Sequence, residues 1–383
     1  MTDKPIFIIW GGGGWPKSFS AASNKFFLMG KALLKEGYRV VLINRFNFGK
    51  NSSFEKGSID GIEYIYLYSG EKTIFKQILT EFTSIFWLRR ILNEYKPTHN
   101  RRYLMFSYTS LFSMFSYRLL TKVYNYQLLA SIMEYHPALA KNIKAQIKAW
   151  LFWGVCFKVV DAALVISDFL QNEIKNRNKN LPIHKIPVLG DFNIKKNMVK
   201  QKSPYFLYCG SVGYSDIIKL IVSSFEKLKL DNFHLFIVIS GKENKVESLK
   251  IRLSKHKNIH VFYQLSYQEL LNKYANAIGL LIPMRNTVQD IARFPQKIAE
   301  YASVGVPIIT NPVGEIGNYF EDRVSAVYAE RDTIEAYSKA MEWVGLNLQE
   351  AKKVGLQGRK VGLKHFHYGA VSQKLNNFLK QLV

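Results

Sequence analysis

Residues 293–307 read RFPQKIAEYASVGVP and carry the densest set of groups able to handle a charged ligand. In a helix, Lys297, Glu300 and Tyr301 fall near one face at i, i+3 and i+4 spacing. Pro295 suits the first helical turn, where no N–H is needed. Gly305 fits the position just past the helix end, and Val306, Pro307, Ile308 and Ile309 begin the next strand. Arg285 and Arg293 flank this stretch, and arginine offers a planar fork for phosphate oxygens. A charged pair opening a short helix behind a strand suits a phosphorylated, hydroxyl-rich ligand. An ordinary crossover helix with a solvated Lys and Glu would show the same pattern.

Four other groups invite chemistry. Gly11, Gly12, Gly13 and Gly14 follow the apolar run IFIIW and precede a helical pattern. That is where backbone approaches a ligand or takes positive φ. The string lacks the G-x-G-x-x-G form with its later acid, so a flexible loop over a ligand is expected instead of a dinucleotide site. Glu134 and His136 follow another apolar run; at a strand's carboxyl end they would orient a hydroxyl or move a proton. The alternative there is a helix start with a satisfied histidine. Gly210 and Gly241 each end an expected strand and would open a helix toward phosphate. Gly314 and Glu315 follow the strand at 307–310 and are expected to face the same ligand. Ser167 and Asp168 read as a helix cap. The sequence shows no Cys/His cluster, nucleophile elbow or P-loop, so neither a metal nor a resident cofactor is expected.

The elements that must position these groups alternate. Strands are expected at 6–10, 40–43, 62–67, 103–106, 128–133 and 162–166, with helices at 20–36 and 140–160 and a long amphipathic segment from Thr73 to Tyr95. A polar run at 193–203 reads as a linker. Beyond it come strands at 205–209, 235–239, 259–262 and 279–282. Helices are expected at 216–228, 246–253 and 270–277, and again from about Thr333. This predicts an α/β protein of two tandem doubly wound Rossmann-like domains with a cleft between them, the default ligand site. The expected domains are 1–195, 204–362 and a final helix at 363–383 returning to the first.

The chain has 383 residues, 48% hydrophobic, with two distant cysteines and a net charge of +24. Two domains are the prior at this length, and the cysteine usage fits a reducing compartment. The short apolar run at the start is expected to be a buried strand, not a signal peptide. No stretch approaches a membrane span. Residues 101–158 hold eight basic residues and one acid, Glu134, with aromatics interleaved. Such a surface seeks a polyanion: an anionic membrane, nucleic acid or phosphorylated substrate. No nucleic-acid-binding motif accompanies it, so no nucleic-acid partner is expected. Biased base usage would yield the same excess of lysine.

With these residues in view, the chain resembles the GT-B glycosyltransferases of the large retaining family four, which build bacterial surface polysaccharides. The resemblance spans nearly the whole chain and is strongest in the second half. It rests on DAALVIS at 161–167, GSVGYSDIIKLIVSSF at 210–225, and the form "fP.K..EY.a.G.PvI" at 294–309. The resemblance implies an acceptor-side first domain and a nucleotide-sugar-binding second domain. Donor contacts would come from Gly11, Gly12, Gly13, Gly14, Gly210, Ser211, Gly241, Arg285, Lys297, Glu300, Gly314 and Glu315, with Glu300 on the ribose hydroxyls. Glu134, His136, Arg293 and Lys297 would be catalytic. The chain departs from the family pattern at three places. Ala292 stands where the first acid of a Glu-x7-Glu pair would be, with Asp290 two residues earlier. Ser211 and Asp216 stand where the family has an Arg and a Lys. Glu134 occupies the usual place of a His. The implied function is a hexosyltransferase moving a sugar from a nucleotide-diphosphate sugar to a glycan or lipid-linked acceptor. The enzyme would be cytoplasmic and peripheral on the inner face of an anionic membrane. The alternatives are a non-catalytic partner subunit of the same fold and a nucleotide-sugar epimerase.

Overall fold

The structure, a computed structural model, describes residues 4–17, 20–44, 55–67, 74–95, 101–194 and 203–383. The expected linker falls mainly on 195–202, outside the described residues. The chain forms two compact units. One runs to Leu189 and includes Tyr368–Val383; the other is Gly190–His367.

The first unit contains β1 (Ile6–Trp10), α1 (Ala21–Lys35), β2 (Arg39–Asn44), β3 (Glu55–Ile59), β4 (Ile62–Tyr66), α2 (Ile74–Tyr95) and β5 (Arg102–Phe106). It continues through α3 (Leu111–Tyr124), β6 (Gln127–Ile132), α4 (His136–Leu139), α5 (Ile143–Val159), β7 (Ala162–Val165), α6 (Asp168–Lys175) and β8 (Ile183–Lys185). Its sheet runs β3-β4-β2-β1-β5-β6-β7-β8. Every pair is parallel except β3 with β4. β1 is wholly buried because helices cover both faces of a parallel sheet. Ser20 and Ser23 form a capping box that starts α1. Asp60 and Gly61 both take positive φ, the requirement of a type I′ hairpin, and they join β3 to β4. The sequence marked that turn but not β3, whose polar residues lie on an exposed edge. The helix expected over 140–160 is α5, which Asn142 caps; the short α4 precedes it and ends before an extended Ala140.

The second unit contains β9 (Tyr205–Ser211), α7 (Ser215–Glu226), β10 (His234–Ser240), α8 (Glu243–Leu253), β11 (Ile259–Tyr263), α9 (Tyr267–Ala275) and β12 (Gly279–Leu281). Then come α10 (Val288–Ala292), α11 (Lys297–Val304), β13 (Ile308–Thr310), α12 (Ile316–Tyr319), β14 (Val327–Tyr328), α13 (Ile334–Leu346) and α14 (Leu348–His365). The strand order is β11-β10-β9-β12-β13-β14, all parallel. The order reverses direction between β9 and β12. In doubly wound sheets the ligand crevice opens at that reversal, outside the carboxyl ends of the strands. Phe206, Ile221, Leu235, Ile237, Leu281, Tyr337 and Met341 belong to one buried core beneath it.

The last helix, α15 (Tyr368–Lys380), belongs to the first unit and packs on α1. Leu375 and Leu379 are fully buried there. Tyr103 donates to the Leu379 carbonyl at 2.8 Å, and Tyr38 donates to Asn376 Oδ1 at 3.0 Å.

Candidate functional site

The reversal point of the second unit gathers residues far apart in sequence, from Ser211 to Glu315. β9 ends at Ser211, whose hydroxyl accepts from the Gly213 N–H at 3.2 Å. The turn that follows delivers Tyr214 to the start of α7. From β12 the chain passes through Arg285 into α10, then through Arg293 into α11.

Asp290 is the centre of this arrangement. Its side chain is 0% exposed. Arg285 donates to it three times: from its backbone N–H at 2.9 Å, from Nε at 2.9 Å and from Nη2 at 3.1 Å. Arg293 Nη2 lies 2.9 Å from Asp290 Oδ1, the oxygen that Arg285 Nη2 also reaches. Burial acts to raise the Asp290 pKa, but the Arg285 hydrogen bonds and the Arg293 charge bring it below its ordinary value of 3.8. Tyr214 completes the group. Its hydroxyl accepts from Arg293 Nη1 at 2.6 Å, and its ring lies 5.0 Å from the Arg293 guanidinium. The position two residues off the family's acid is therefore an arginine clamp, made by the i, i+3 pairing of Asp290 with Arg293 across the end of α10.

Arg285, Arg293 and Lys297 are each paired with a carboxylate. Lys297 Nζ lies 2.9 Å from Glu300 Oε2. Burial acts to lower the Lys297 pKa, but the electrostatic interactions with Cys209 and with the Glu300 carboxylate outweigh it and leave the ammonium above the ordinary lysine value. Three cations against two carboxylates give these five groups a formal sum of +1. Arg285 and Lys297 each keep 28% of the side chain exposed, and Arg293 keeps 14%. α11 begins at Lys297, two residues later than the proline suggested, because the first turn is closed by the Ile298 N–H donating to the Pro295 carbonyl. Gly305 ends it with φ +70°, as the sequence indicated. Tyr301 is buried beside β9, and its hydroxyl accepts from the Cys209 N–H at 3.1 Å. That bond ties α11 to the strand bearing Ser211.

The glycines of this unit serve packing. Gly210 lies inside β9 and does not open a helix; a Cβ there would stand 2.2 Å from the Tyr208 hydroxyl. Gly241, with φ +141°, packs on Val212, on the side of β9 away from β12. Gly314, with φ +59°, presses against the Ile291 carbonyl, where a Cβ would come within 2.7 Å. This sets Glu315, 2% exposed, at the start of α12 beside the end of α10.

In the first unit, the glycine loop is pinned and not flexible. Gly11 and Gly12 both donate to the Ile43 carbonyl, at 2.8 and 3.0 Å. Gly14 donates to Asn44 Oδ1 at 2.8 Å, and Asn44 Nδ2 donates back to the Trp15 carbonyl at 2.8 Å. The Tyr66 hydroxyl donates to the Gly14 carbonyl at 2.6 Å. Three of the four N–H groups expected to face a phosphate are thus spent inside the unit. Gly13, φ +70°, lies against the first turn of α1.

Glu134 and His136 sit past the end of β6, on the same carboxyl edge of the sheet as that loop. Glu134 is half-buried. His136 stacks on Tyr108 with ring centroids 3.9 Å apart and accepts from Trp153 Nε1 at its Nδ1, 3.3 Å away. Its proton therefore resides on Nε2. Burial, aided by the Lys148 charge, lowers its pKa from 6.5 to about 4. A histidine of this kind is neutral at physiological pH and donates a hydrogen bond; it is a poor proton acceptor.

Residues 191–361, nearly the whole second unit, match the family described as glycosyl transferases group 1. The second unit is a group 1 glycosyltransferase domain. The chain is a glycosyltransferase with the GT-B fold. Solved structures agree along its whole length. Sucrose-phosphate synthase from Thermosynechococcus elongatus superposes with a TM-score of 0.80 at 15% identity, covering 99% of each chain. A glycosyltransferase from Rickettsia africae gives 0.70 at 15% identity, covering 100% of this chain and 99% of that one. Anabaena HepE in complex with UDP-glucose gives 0.72 at 8% identity, covering 98% and 99%. No curated protein matches the sequence.

Tyr214 is the residue of this cluster that the sequence did not single out, and Asp290 stood out in it only as a departure from the family pattern. Tyr214 carries no motif signal. Asp290 was visible as an acid with arginines five before and three after it, and that spacing was the available clue.

Proposed function

We propose that this glycosyltransferase moves a sugar from a nucleotide-diphosphate sugar, with retention at the anomeric carbon, to a glycan or lipid-linked acceptor in surface-polysaccharide synthesis. The observation that carries the donor assignment is the clamp of Arg285, Asp290 and Arg293 beside Lys297 and Glu300 at the β9/β12 reversal. Breaking the bond between the anomeric carbon and the diphosphate leaves negative charge on the departing phosphate. Cations fixed beforehand stabilise that charge without reorganising. Asp290 holds two guanidinium forks in place, and their exposed portions together with Lys297 meet the leaving phosphate. Glu300 accepts from the ribose hydroxyls while Lys297 keeps its carboxylate oriented. Ser211, Gly314 and Glu315 border the same donor. HepE binds UDP-glucose, and a trehalose-6-phosphate structure from E. coli is bound with UDP-2-fluoro glucose; a uridine donor is the first to test here. Glu134 and the Nε2–H of His136 orient the acceptor. A lipid-linked acceptor puts the enzyme on the inner face of the membrane.

The test is a panel of nucleotide sugars and nucleoside diphosphates scored by thermal stabilisation, followed by turnover of Lys297→Ala and Glu300→Ala. One donor should stabilise the protein clearly, and each variant should lose turnover by roughly a hundredfold. No stabilisation by any nucleotide would point to a partner subunit. Full turnover in either variant would refute the site.

A further inference from the structure

Three helices of the first unit, α2, α3 and α5, turn an apolar face outward. On α3 the stripe is Phe112, Phe115, Leu119 and Val123, spaced by three, four and four residues so that all share one side. On α5 it is Ile143, Ile147 and Trp150. On α2 it includes Phe82 and Phe86. α3 packs against both α2 and α5, and the Phe82 and Phe112 rings meet at 5.0 Å. The α2 and α3 stripes thus meet, and α5 packs beside α3 with its own stripe exposed. Trp150 is 72% exposed, Leu119 66% and Phe86 64%. Side chains of this size rarely lie open together on a soluble surface unless something docks there.

The patch differs from the basic-aromatic segment seen in the sequence. Phe106, Tyr117, Phe152, Trp153 and Phe157 are buried and belong to the fold. The exposed set is amphipathic, and its border is cationic. Lys141, Lys144 and Lys148 lie exposed at or just before the first turns of α5, and Lys122 lies exposed on α3. Arg89 and Arg90 lie exposed on α2 beyond Phe86. Across 101–158 the one acid is Glu134; α2 adds Glu81, which accepts from the Ser110 hydroxyl at 3.0 Å, and Glu94, which pairs with Lys56. An apolar stripe bordered by lysines matches the boundary between acyl chains and anionic headgroups. Among the described residues no helix is long and apolar enough to cross a membrane, so such a face would rest on the bilayer.

We propose that this face of α2, α3 and α5 docks flat on an anionic lipid bilayer. The aromatic and aliphatic stripe enters the headgroup boundary, and the lysines meet lipid phosphates. The face also adjoins the loop assigned to the acceptor. Lys148 Nζ lies 5.3 Å from the Tyr108 ring, which stacks on His136. A lipid-anchored acceptor rising from the bilayer would therefore meet Glu134 and His136 at the edge of the docked surface. The proposal deepens the membrane location given above and rests on it; it does not depend on the donor assignment.

Vesicle flotation tests it, with phosphatidylcholine vesicles that contain or lack phosphatidylglycerol. The wild-type protein should float only with phosphatidylglycerol, and less as salt is raised. Leu119→Ser with Trp150→Ser should reduce flotation by roughly tenfold, and so should Lys141→Gln with Lys144→Gln. All four side chains are exposed, so thermal unfolding should not move. Absence of flotation with the anionic vesicles would overturn the proposal. So would a wild-type dimer that the Leu119 and Trp150 changes dissociate, which would make the face a contact between two copies. Nucleotide stabilisation in solution is read separately, so a failed flotation and a failed donor assignment remain distinguishable.

Discussion

Replacing Asp290 with Asn keeps the volume of the side chain and removes its charge. Four N–H groups converge on the carboxylate: three from Arg285 and one from Arg293. Asparagine retains one acceptor oxygen and turns an NH2 group toward an arginine donor. At least two charge-assisted bonds are lost, each contributing about 1.5–3 kcal/mol. Breaking a fully buried ion pair costs about 3–5 kcal/mol, because the partner charge is left uncompensated. Here the guanidiniums are 28% and 14% exposed, so water compensates part of that, and about 3 kcal/mol is expected. For a unit of this size the melting temperature should fall by about 6–12 °C. The loss should depend on pH. Because the folded pKa of Asp290 lies below 3.8, its contribution is complete above that value and disappears as pH falls through the folded pKa. The gap between wild type and variant should therefore be full at neutral pH and close in strong acid. The released forks should also raise KM for the donor by roughly tenfold. Scanning calorimetry against pH, with initial rates at neutral pH, reads all three effects. A variant melting within about 2 °C of wild type would refute the clamp. A lower KM would show that the arginines act as point charges, with the added positive charge outweighing the loss of position.

His136 should give an acid-dependent signature. Its folded pKa is about 4 against an ordinary 6.5, so its contribution to stability is complete above 6.5 and is lost as pH falls toward 4. His136→Phe should flatten that part of a stability-against-pH curve; an unchanged curve would show that the ring is not held neutral by burial. In the glycine loop, Gly13→Ala meets both a positive φ and the Ser23 backbone nitrogen 2.8 Å from the new Cβ, whereas Gly11→Ala meets a positive φ but open space. Urea unfolding should show a loss of about 1 kcal/mol for Gly11→Ala and about 2–3 kcal/mol for Gly13→Ala. Equal losses would mean that the contact with α1 contributes nothing.

The strand-and-helix alternation of both halves was legible in the sequence. Continuous apolar runs mark buried parallel strands, and Gly305, Ser20 and Ser167 mark helix ends where the structure has them. These signals are local: they depend on propensity and on the reach of one side chain to a neighbouring backbone group. β3 was not legible, because an edge strand with one solvated face needs no apolar pattern. The pairing of Lys297 with Glu300 followed from helical spacing alone. The clamp did not, since spacing does not say which of several acids is buried. Only packing against Tyr214, delivered by a different strand, shows that Asp290 lies at the centre and that the arginines already have a partner. The glycine loop divides in the same way. Its sequence dictates positive φ and close approach, but the carbonyl of Ile43 and the side chains of Asn44 and Tyr66, brought beside it by β2 and β4, decide that it is pinned. Local chemistry along the chain determines which elements form and where they stop. Which charges compensate one another, and which aromatic rings are left on the surface, depends on neighbours far apart in sequence, and only the tertiary fold brings them together.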